Sequence, residues 1–127
     1  MTVDLPIFDP VQLEELRAIG VMTPTFFGTL SASFAQAASG STVKIEQACD
    51  AGDHEALYRA AHALKGCAAT FGAVRLAARA SELEVLGRFK SALPPVEAMA
   101  DLVDLVHAAS GLARDWATRV GVTAAHG

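Results

Sequence analysis

Hydrophobic residues recur every three or four positions along most of this chain, the spacing that gives a helix one apolar face. No segment alternates every second residue, as a half-buried strand would. Start and stop signals divide the pattern into five predicted helices: Asp9-Pro10 to Gly20, Thr23-Pro24 to Ala51-Gly52, Asp53 to Gly72, Ala73 to about Lys90, and the stripe from Met99 to Val120. Short loops between long helices favour antiparallel neighbours. We therefore predict an all-α fold, an antiparallel up-and-down four-helix bundle with a short extra N-terminal helix across one end.

Length and composition agree with a single bundle. The 127 residues suit one domain, 1–127, with an ordered core at roughly 9–120 and a frayed tail from Gly121 to Gly127. Hydrophobic residues make up 52% and charged residues 19%, a balance that excludes a disordered chain. The 26 alanines favour closely packed helices over sheets. A monomer is expected, because the apolar faces of such a bundle close on one another.

Charge and polarity exclude several classes of partner. The formal net charge of −4 gives no long-range attraction to nucleic acid or to anionic lipid. Residues 18–43 lack Asp, Glu, Lys and Arg, but they contain Gly20, Pro24 and Gln36, so we predict a buried helix and no membrane insertion. Two cysteines without a CxxC pair, and an N-terminus unlike a signal peptide, predict a cytoplasmic protein.

The third predicted helix carries the residues that could take part in a reaction. A helical wheel gathers its apolar residues into one core-facing stripe: Leu57, Ala61, Leu64, Ala68 and Phe71. His62 lies roughly 140° from the centre of that stripe, so we expect it to face solvent. Lys65 lies three residues on, where its ammonium can reach an anion on the imidazole. Gly66 costs about 1 kcal/mol relative to alanine inside a helix; access to the ring by another protein is one reason for it, and close helix packing is the alternative.

These residues resemble a known family, the histidine-containing phosphotransfer (HPt) domains of two-component phosphorelays. The similarity rests on Ala61-His62-Ala63-Leu64-Lys65-Gly66, then Gly72-Ala73, then Leu76 and Ser81-Glu82-Leu83-Glu84. It follows the family pattern H-x-L-K-G, a later G-A and a downstream L-E, and the helical layout extends it over nearly the whole chain. Cys67 and Phe71 depart from the residues usual at their positions, but neither departure touches the accepting ring.

The resemblance implies a phosphorelay intermediate. His62 would accept a phosphoryl group from an aspartyl phosphate of one receiver domain and pass it to a receiver aspartate of a response regulator. Lys65 would stabilise the phosphate and Gly66 would allow close approach. The implied partners are response-regulator receiver domains and a hybrid sensor histidine kinase, and Mg²⁺ is expected on the receiver, with no cofactor or metal held by this chain. Met1 and the compact length favour a free-standing carrier over a piece of a hybrid kinase.

Docking and catalysis by the isolated chain are less defined by the sequence. The neighbours of His62 on the wheel, Tyr58, Arg59 and Ala69, are candidates for a small docking patch, together with parts of 23–33.

We find no P-loop and no kinase glycine-rich loop, so the chain should have no ATP-dependent kinase activity of its own. An independent enzyme would need a second positioned acid or base, and only Glu55 or Arg59 lies near His62 at readable spacing.

Besides an independent enzyme, one alternative function stays open at this point. It is a regulatory module that binds a receiver or an enzyme without carrying phosphate, although such a module would not need the intact set of His62, Lys65 and Gly66 that this chain has.

The remaining polar residues are expected to have other roles. His54, His107 and His126 lack metal-ligand spacing, as do Cys49 and Cys67, and we expect structural or surface roles for them. Glu84 is expected to be a surface or inter-helix charge, and Trp116 a core residue.

Overall fold

The computed structural model describes residues 7–20 and 25–126 as an assembly of helices. Within those ranges the elements are α1 (Pro10–Gly20), α2 (Phe26–Ala51), α3 (His54–Phe71), α4 (Val74–Arg88) and α5 (Val96–His126). The four long helices pack in a ring, α2 on α3, α3 on α4, α4 on α5 and α5 on α2, while α1 touches α2 and α3. The predicted all-α bundle with an extra N-terminal helix is therefore confirmed.

The capping residues predicted for two helices are observed. The side chain of Asp9 accepts a hydrogen bond from the backbone N–H of Val11 at 2.9 Å, and that of Asp53 accepts one from Ala56 at 3.0 Å. Each aspartate thus satisfies a backbone donor that the first turn of a helix leaves without a partner. Gly52 ends α2 with φ +66°. A side chain at that backbone angle would be strained, so glycine is the residue that fits.

The first helix lies against the end of α3. The backbone N–H of Asp9 donates to the carbonyl of Gly72 at 2.7 Å, and the side-chain amide of Gln12 donates to the carbonyl of Thr70 at 3.1 Å. Gly72 has φ +77°, and a Cβ there would lie 2.7 Å from the side chain of Gln12. Gly72 is therefore required both by its turn and by the close approach of α1.

Two helix boundaries differ from the sequence prediction, and a third predicted boundary lies outside the described residues. The fourth helix spans Val74–Arg88, two residues shorter at its end than predicted. The last helix continues to His126, although Val120 is its last apolar stripe residue. Gly121 alone does not stop it, because the alanines that follow are strong helix formers and no proline intervenes. The predicted start at Thr23-Pro24 falls outside the described residues, and α2 is described from Phe26.

The core combines alanine-mediated helix contacts with an aromatic cluster. Phe71 at the end of α3 lies with its ring centre 4.9 Å from Phe34 and 5.6 Å from Trp116. Phe27 packs edge-on against Trp116 at 5.4 Å, and Phe8 lies 5.5 Å from Phe71. Trp116 is buried, as the sequence predicts. The cluster joins α2, α3 and α5 at the end of the bundle that α1 covers.

The turn after α4 contains a strained residue, and its replacement should stabilise the fold. Lys90 has φ +51°, and the N–H groups of Lys90 and Ser91 donate to the carbonyls of Gly87 and Leu86 in a helix-ending motif that usually employs glycine. We expect Lys90→Gly to raise the free energy of unfolding by about 1 kcal/mol, measured by urea denaturation. Lys90→Ala is the matched control, because it removes the charge but keeps the Cβ. An equal gain in both variants would attribute the effect to the charge and contradict the backbone explanation.

Candidate functional site

Helix α3 presents one apolar face and one chemical face, as its sequence predicts. All five stripe residues are buried: Leu57, Ala61, Leu64, Ala68 and Phe71. The side chain of His62 points the other way and is 69% exposed. Its rigid placement follows from the buried face beneath it, since α3 packs against both α2 and α4. A macromolecular partner can therefore reach the imidazole without any movement of the helix.

The imidazole of His62 is held by a carboxylate from the neighbouring helix. Its Nδ1 lies 2.9 Å from Oε2 of Glu84, which extends from α4. The Glu84 side chain is only 14% exposed, whereas the ring it holds is largely open to solvent. In a neutral ring Nδ1 donates to the carboxylate, which leaves the lone pair on Nε2. The arrangement thus orients a nucleophilic nitrogen away from the protein surface.

Lys65 approaches the second oxygen of the same carboxylate. Its Nζ lies 3.8 Å from Oε1 of Glu84, and its side chain is 44% exposed. The hydrogen bond from His62 lowers the pKa of Glu84 below its usual value, and the nearby charge of Lys65 adds to this effect against the opposing effect of burial. Glu84 is therefore ionised at neutral pH. Its contribution to stability is present above about pH 4.5 and declines as the pH falls through the lowered pKa.

Gly66 stands one turn beyond His62 on open surface. A Cβ built on Gly66 would have no atom within 4 Å, which excludes close helix packing as the reason for glycine at this position. Because Gly66 has no side chain, the space next to the exposed ring of His62 is open.

Gly66 consequently allows a test that separates stability from access. We expect Gly66→Ala to raise the free energy of unfolding by up to about 1 kcal/mol, because alanine is the better helix former and nothing obstructs it. We expect Gly66→Leu to slow phosphoryl transfer from a receiver at least about tenfold, because the side chain keeps the reacting atoms apart. Stopped-flow or gel-based transfer rates check this. Gly111→Leu on α5 is the control, and equal slowing by both leucines would contradict the role of Gly66.

The residues proposed for docking are distributed along α3. The ring of Tyr58 stacks on that of His62 with centres 6.0 Å apart and planes at 17°. Arg59 is exposed and pairs with Glu55, and Ala69 is exposed two turns beyond His62. The described part of the 23–33 segment lies instead at the Phe71 end, where Phe27 packs on Trp116. It is therefore displaced along the bundle from His62.

A groove nearer to His62 was not foreseen from the sequence. It has a volume of about 450 Å³ and runs between α2 and α3, with Lys44 and Arg59 as its basic residues and Ala63 at its edge. Ala63 follows His62 in the sequence, but the lining of the groove does not include His62, because successive residues of a helix point about 100° apart. A hydropathy pattern shows which face of each helix is apolar, but it does not show where two helices diverge enough to leave such a space.

The remaining polar candidates have structural surroundings. The Nε2 of His54 donates to the carbonyl of Ser91 at 2.8 Å and ties the start of α3 to the turn after α4. Cys49 and Cys67 are free thiols, and burial raises the pKa of both. Among the residues that the structure describes, no three His, Cys, Asp or Glu side chains converge as a metal site would require. In the same ranges no helix has the length and apolar character of a membrane span.

Glu84 is the partner of His62 that sequence reasoning did not identify. The expected inter-helix charge at Glu84 is confirmed, but we looked for an acid or base beside His62 only at Glu55 and Arg59, which pair with each other. A usable signal was present, since His62 and Glu84 lie at similar distances in sequence before and after the turn at Gly72. In an antiparallel helix pair such positions face each other. Applying that rule requires knowing which side of α3 the fourth helix occupies.

Comparisons with known proteins agree with this geometry. The family model of the Hpt domain matches residues 29–114, which include His62, Lys65, Gly66 and Glu84. The crystal structure of histidine-containing phosphotransfer protein B (HptB) from Pseudomonas aeruginosa PAO1 is similar in fold, with a TM-score of 0.69 and 23% sequence identity. That similarity covers 94% of this chain and 98% of the other. No curated protein sequence matches the chain.

Proposed function

We propose that His62 is the phosphoryl acceptor of this chain. The chain belongs to the Hpt domain family and is a phosphotransfer intermediate of two-component phosphorelays. The observation that carries the assignment is the exposed imidazole with its Nδ1 held 2.9 Å from Glu84. Phosphoryl transfer depends chiefly on an in-line approach and on neutralisation of charge at the phosphoryl oxygens. A fixed ring with an outward lone pair meets the first requirement.

The proposed reaction assigns one role to each residue of the site. Nε2 of His62 attacks the phosphorus of a receiver's aspartyl phosphate, so that an N–P bond forms and the P–O bond to the aspartate breaks. Glu84 keeps the proton on Nδ1 and balances the positive charge that develops on the ring. Lys65, whose Nζ lies 3.8 Å from Oε1 of Glu84, turns from this carboxylate to the new phosphoryl group, where its ammonium offsets the added negative charge. The receiver supplies Mg²⁺, and this chain needs no metal of its own.

Docking places the receiver over α3. Hpt domains interact with the receiver domains and kinases of phosphorelays. For this chain we propose response-regulator receivers and a hybrid sensor kinase as partners, a monomeric carrier, and a cytoplasmic location. Tyr58, Arg59 and Ala69 form the proposed contact patch around His62. Tyr58 supplies an aromatic surface beside the ring, and Arg59 extends into solvent, which suits a modest, transient interface.

The experiment that tests the proposal is direct transfer from a receiver. The chain is mixed with a phosphorylated receiver domain and Mg²⁺, and the product is analysed by mass spectrometry and for the acid lability typical of phosphohistidine. We expect one phosphoryl group, mapped to His62. Binding without transfer across a panel of receivers would overturn the proposal in favour of a regulatory module that carries no phosphate. Turnover of a small substrate by the isolated chain would instead indicate an enzyme.

A further inference from the structure

Helices α3 and α4 approach each other closely at a glycine that the sequence analysis did not single out. Gly87, near the end of α4, is buried. A Cβ built on it would lie 2.6 Å from the backbone nitrogen of Tyr58, 2.9 Å from the Cα of Tyr58 and 2.8 Å from the carbonyl oxygen of His54. All three atoms belong to the backbone of α3. They cannot move aside as a flexible side chain would, so any larger residue must separate the two helices.

This contact lies one turn from the hydrogen bond that orients His62. Glu84 precedes Gly87 by three residues on α4, and His62 follows Tyr58 by four on α3. Residues three and four apart lie on the same face of a helix, so the Gly87–Tyr58 and Glu84–His62 contacts are neighbours along one seam. The separation of the helices at Gly87 therefore determines how far Glu84 must reach.

A side chain at residue 87 would need a helix displacement that is large compared with the range of hydrogen-bond lengths. Bringing an alanine Cβ at residue 87 to an ordinary contact of 3.4 Å requires a displacement of about 0.8 Å from Tyr58. A displacement of that size between the helices, with the torsion angles of the Glu84 and His62 side chains unchanged, takes the 2.9 Å distance from Nδ1 to Oε2 past 3.5 Å. A hydrogen bond of that length is largely lost.

We propose that Gly87 is a positioning residue for phosphoryl transfer, because its missing side chain sets the spacing at which Glu84 holds His62 in the reactive orientation. Gly87 touches neither the phosphoryl group nor the receiver and acts only through Glu84. The inference rests on the proposed role of His62 as acceptor. Its structural part, the hydrogen bond, is measurable on the unphosphorylated chain, so the two proposals can fail separately.

The test compares Gly87→Ala with the wild-type chain by nitrogen NMR of the imidazole at about pH 8, where an ordinary histidine is neutral. The His62 signals are assigned by their loss in His62→Gln. We expect the proton to reside on Nδ1 in the wild type and to distribute between both nitrogens in Gly87→Ala and Glu84→Ala. We expect the transfer rate of Gly87→Ala to fall about tenfold. Gly111→Ala is the control: a Cβ there would lie 4.0 Å from the side chain of Arg114, so this variant should change neither quantity.

Two further variants exclude a purely structural explanation. In the Glu84→Ala background, Gly87→Ala should cause no additional loss of transfer rate, because the group through which it acts is gone. Glu84→Asp shortens the reach of the carboxylate without touching the glycine contact, and should reproduce the NMR change and the slowing. Even where Gly87→Ala fails to fold, this variant tests the premise that the hydrogen bond depends on how far Glu84 must reach. Wild-type imidazole signals in Glu84→Asp, or additive losses in the double variant, would overturn the proposal.

Discussion

Replacing His62 with glutamine is expected to abolish phosphorylation by a receiver and to leave the fold intact. The amide of glutamine has no nucleophilic lone pair on nitrogen, so no N–P bond can form. The side chain is 69% exposed, so its replacement leaves no cavity in the core, and the loss of the hydrogen bond to Glu84 should lower the free energy of unfolding by about 1 kcal/mol. Phosphoryl incorporation is measured by intact-mass spectrometry, and stability by thermal or urea unfolding followed by circular dichroism.

A second exposed histidine supplies the control for this experiment. His107 lies on α5, is exposed and belongs to no part of the proposed site. His107→Gln should accept phosphoryl groups at the wild-type rate. Phosphorylation of a folded His62→Gln variant at an unchanged rate would show that another residue is the acceptor, and a loss in both variants would show that the assay reports general damage.

Replacing Glu84 with alanine should slow transfer between about tenfold and a hundredfold without abolishing it. Hydrogen bonds to charged groups contribute roughly 1.5–3 kcal/mol, and this one holds the ring, fixes its proton on Nδ1 and stabilises the charge that develops during attack. Nε2 remains available in the variant, but it is no longer held in position. Single-turnover transfer from a phosphorylated receiver at saturating concentration separates this loss from weaker docking.

Two other substitutions separate the parts of the Glu84 effect. Glu84→Gln keeps an oxygen that can accept from Nδ1 but removes the negative charge, so its transfer rate should lie between those of the wild type and Glu84→Ala. Glu82→Ala removes a carboxylate from the same helix that pairs with Arg79 on open surface, and it should leave the rate unchanged. Equal slowing by Glu82→Ala and Glu84→Ala would mean that the general charge of α4 matters, and not the contact with His62.

The fold was largely predictable because its signals are local. The aspartate caps at Asp9 and Asp53 and the left-handed glycines Gly52 and Gly72 each act within one turn of a helix end. The side of α3 that faces the core follows from the spacing of its apolar residues alone. The end of α5 was missed because a helix without a breaker continues beyond its last buried residue, and the hydrophobic pattern registers only buried residues.

The site was predictable only where it lies on one helix. His62, Lys65 and Gly66 share α3, so their relative positions follow from helical geometry. The Glu84 contact and the Gly87 approach join two helices, and they depend on how α4 rotates and how closely it packs. Gly87 even looks unfavourable in the sequence, since glycine weakens a helix. The reason for glycine at this position is the backbone of α3, which leaves no room for a side chain, and the sequence of α4 alone does not show how close that backbone lies.

The position of His62 in the middle of a helix face limits how many partners can bind over it at the same time. With His62 as the proposed acceptor, one receiver at a time covers the imidazole, so we expect donor and acceptor receivers to alternate on the carrier and not to share a ternary complex. Each receiver then competes with the other for the same face whether or not it bears phosphate. The abundance of the carrier relative to its receivers thus determines whether phosphoryl groups flow onward promptly or accumulate on the carrier as a reservoir.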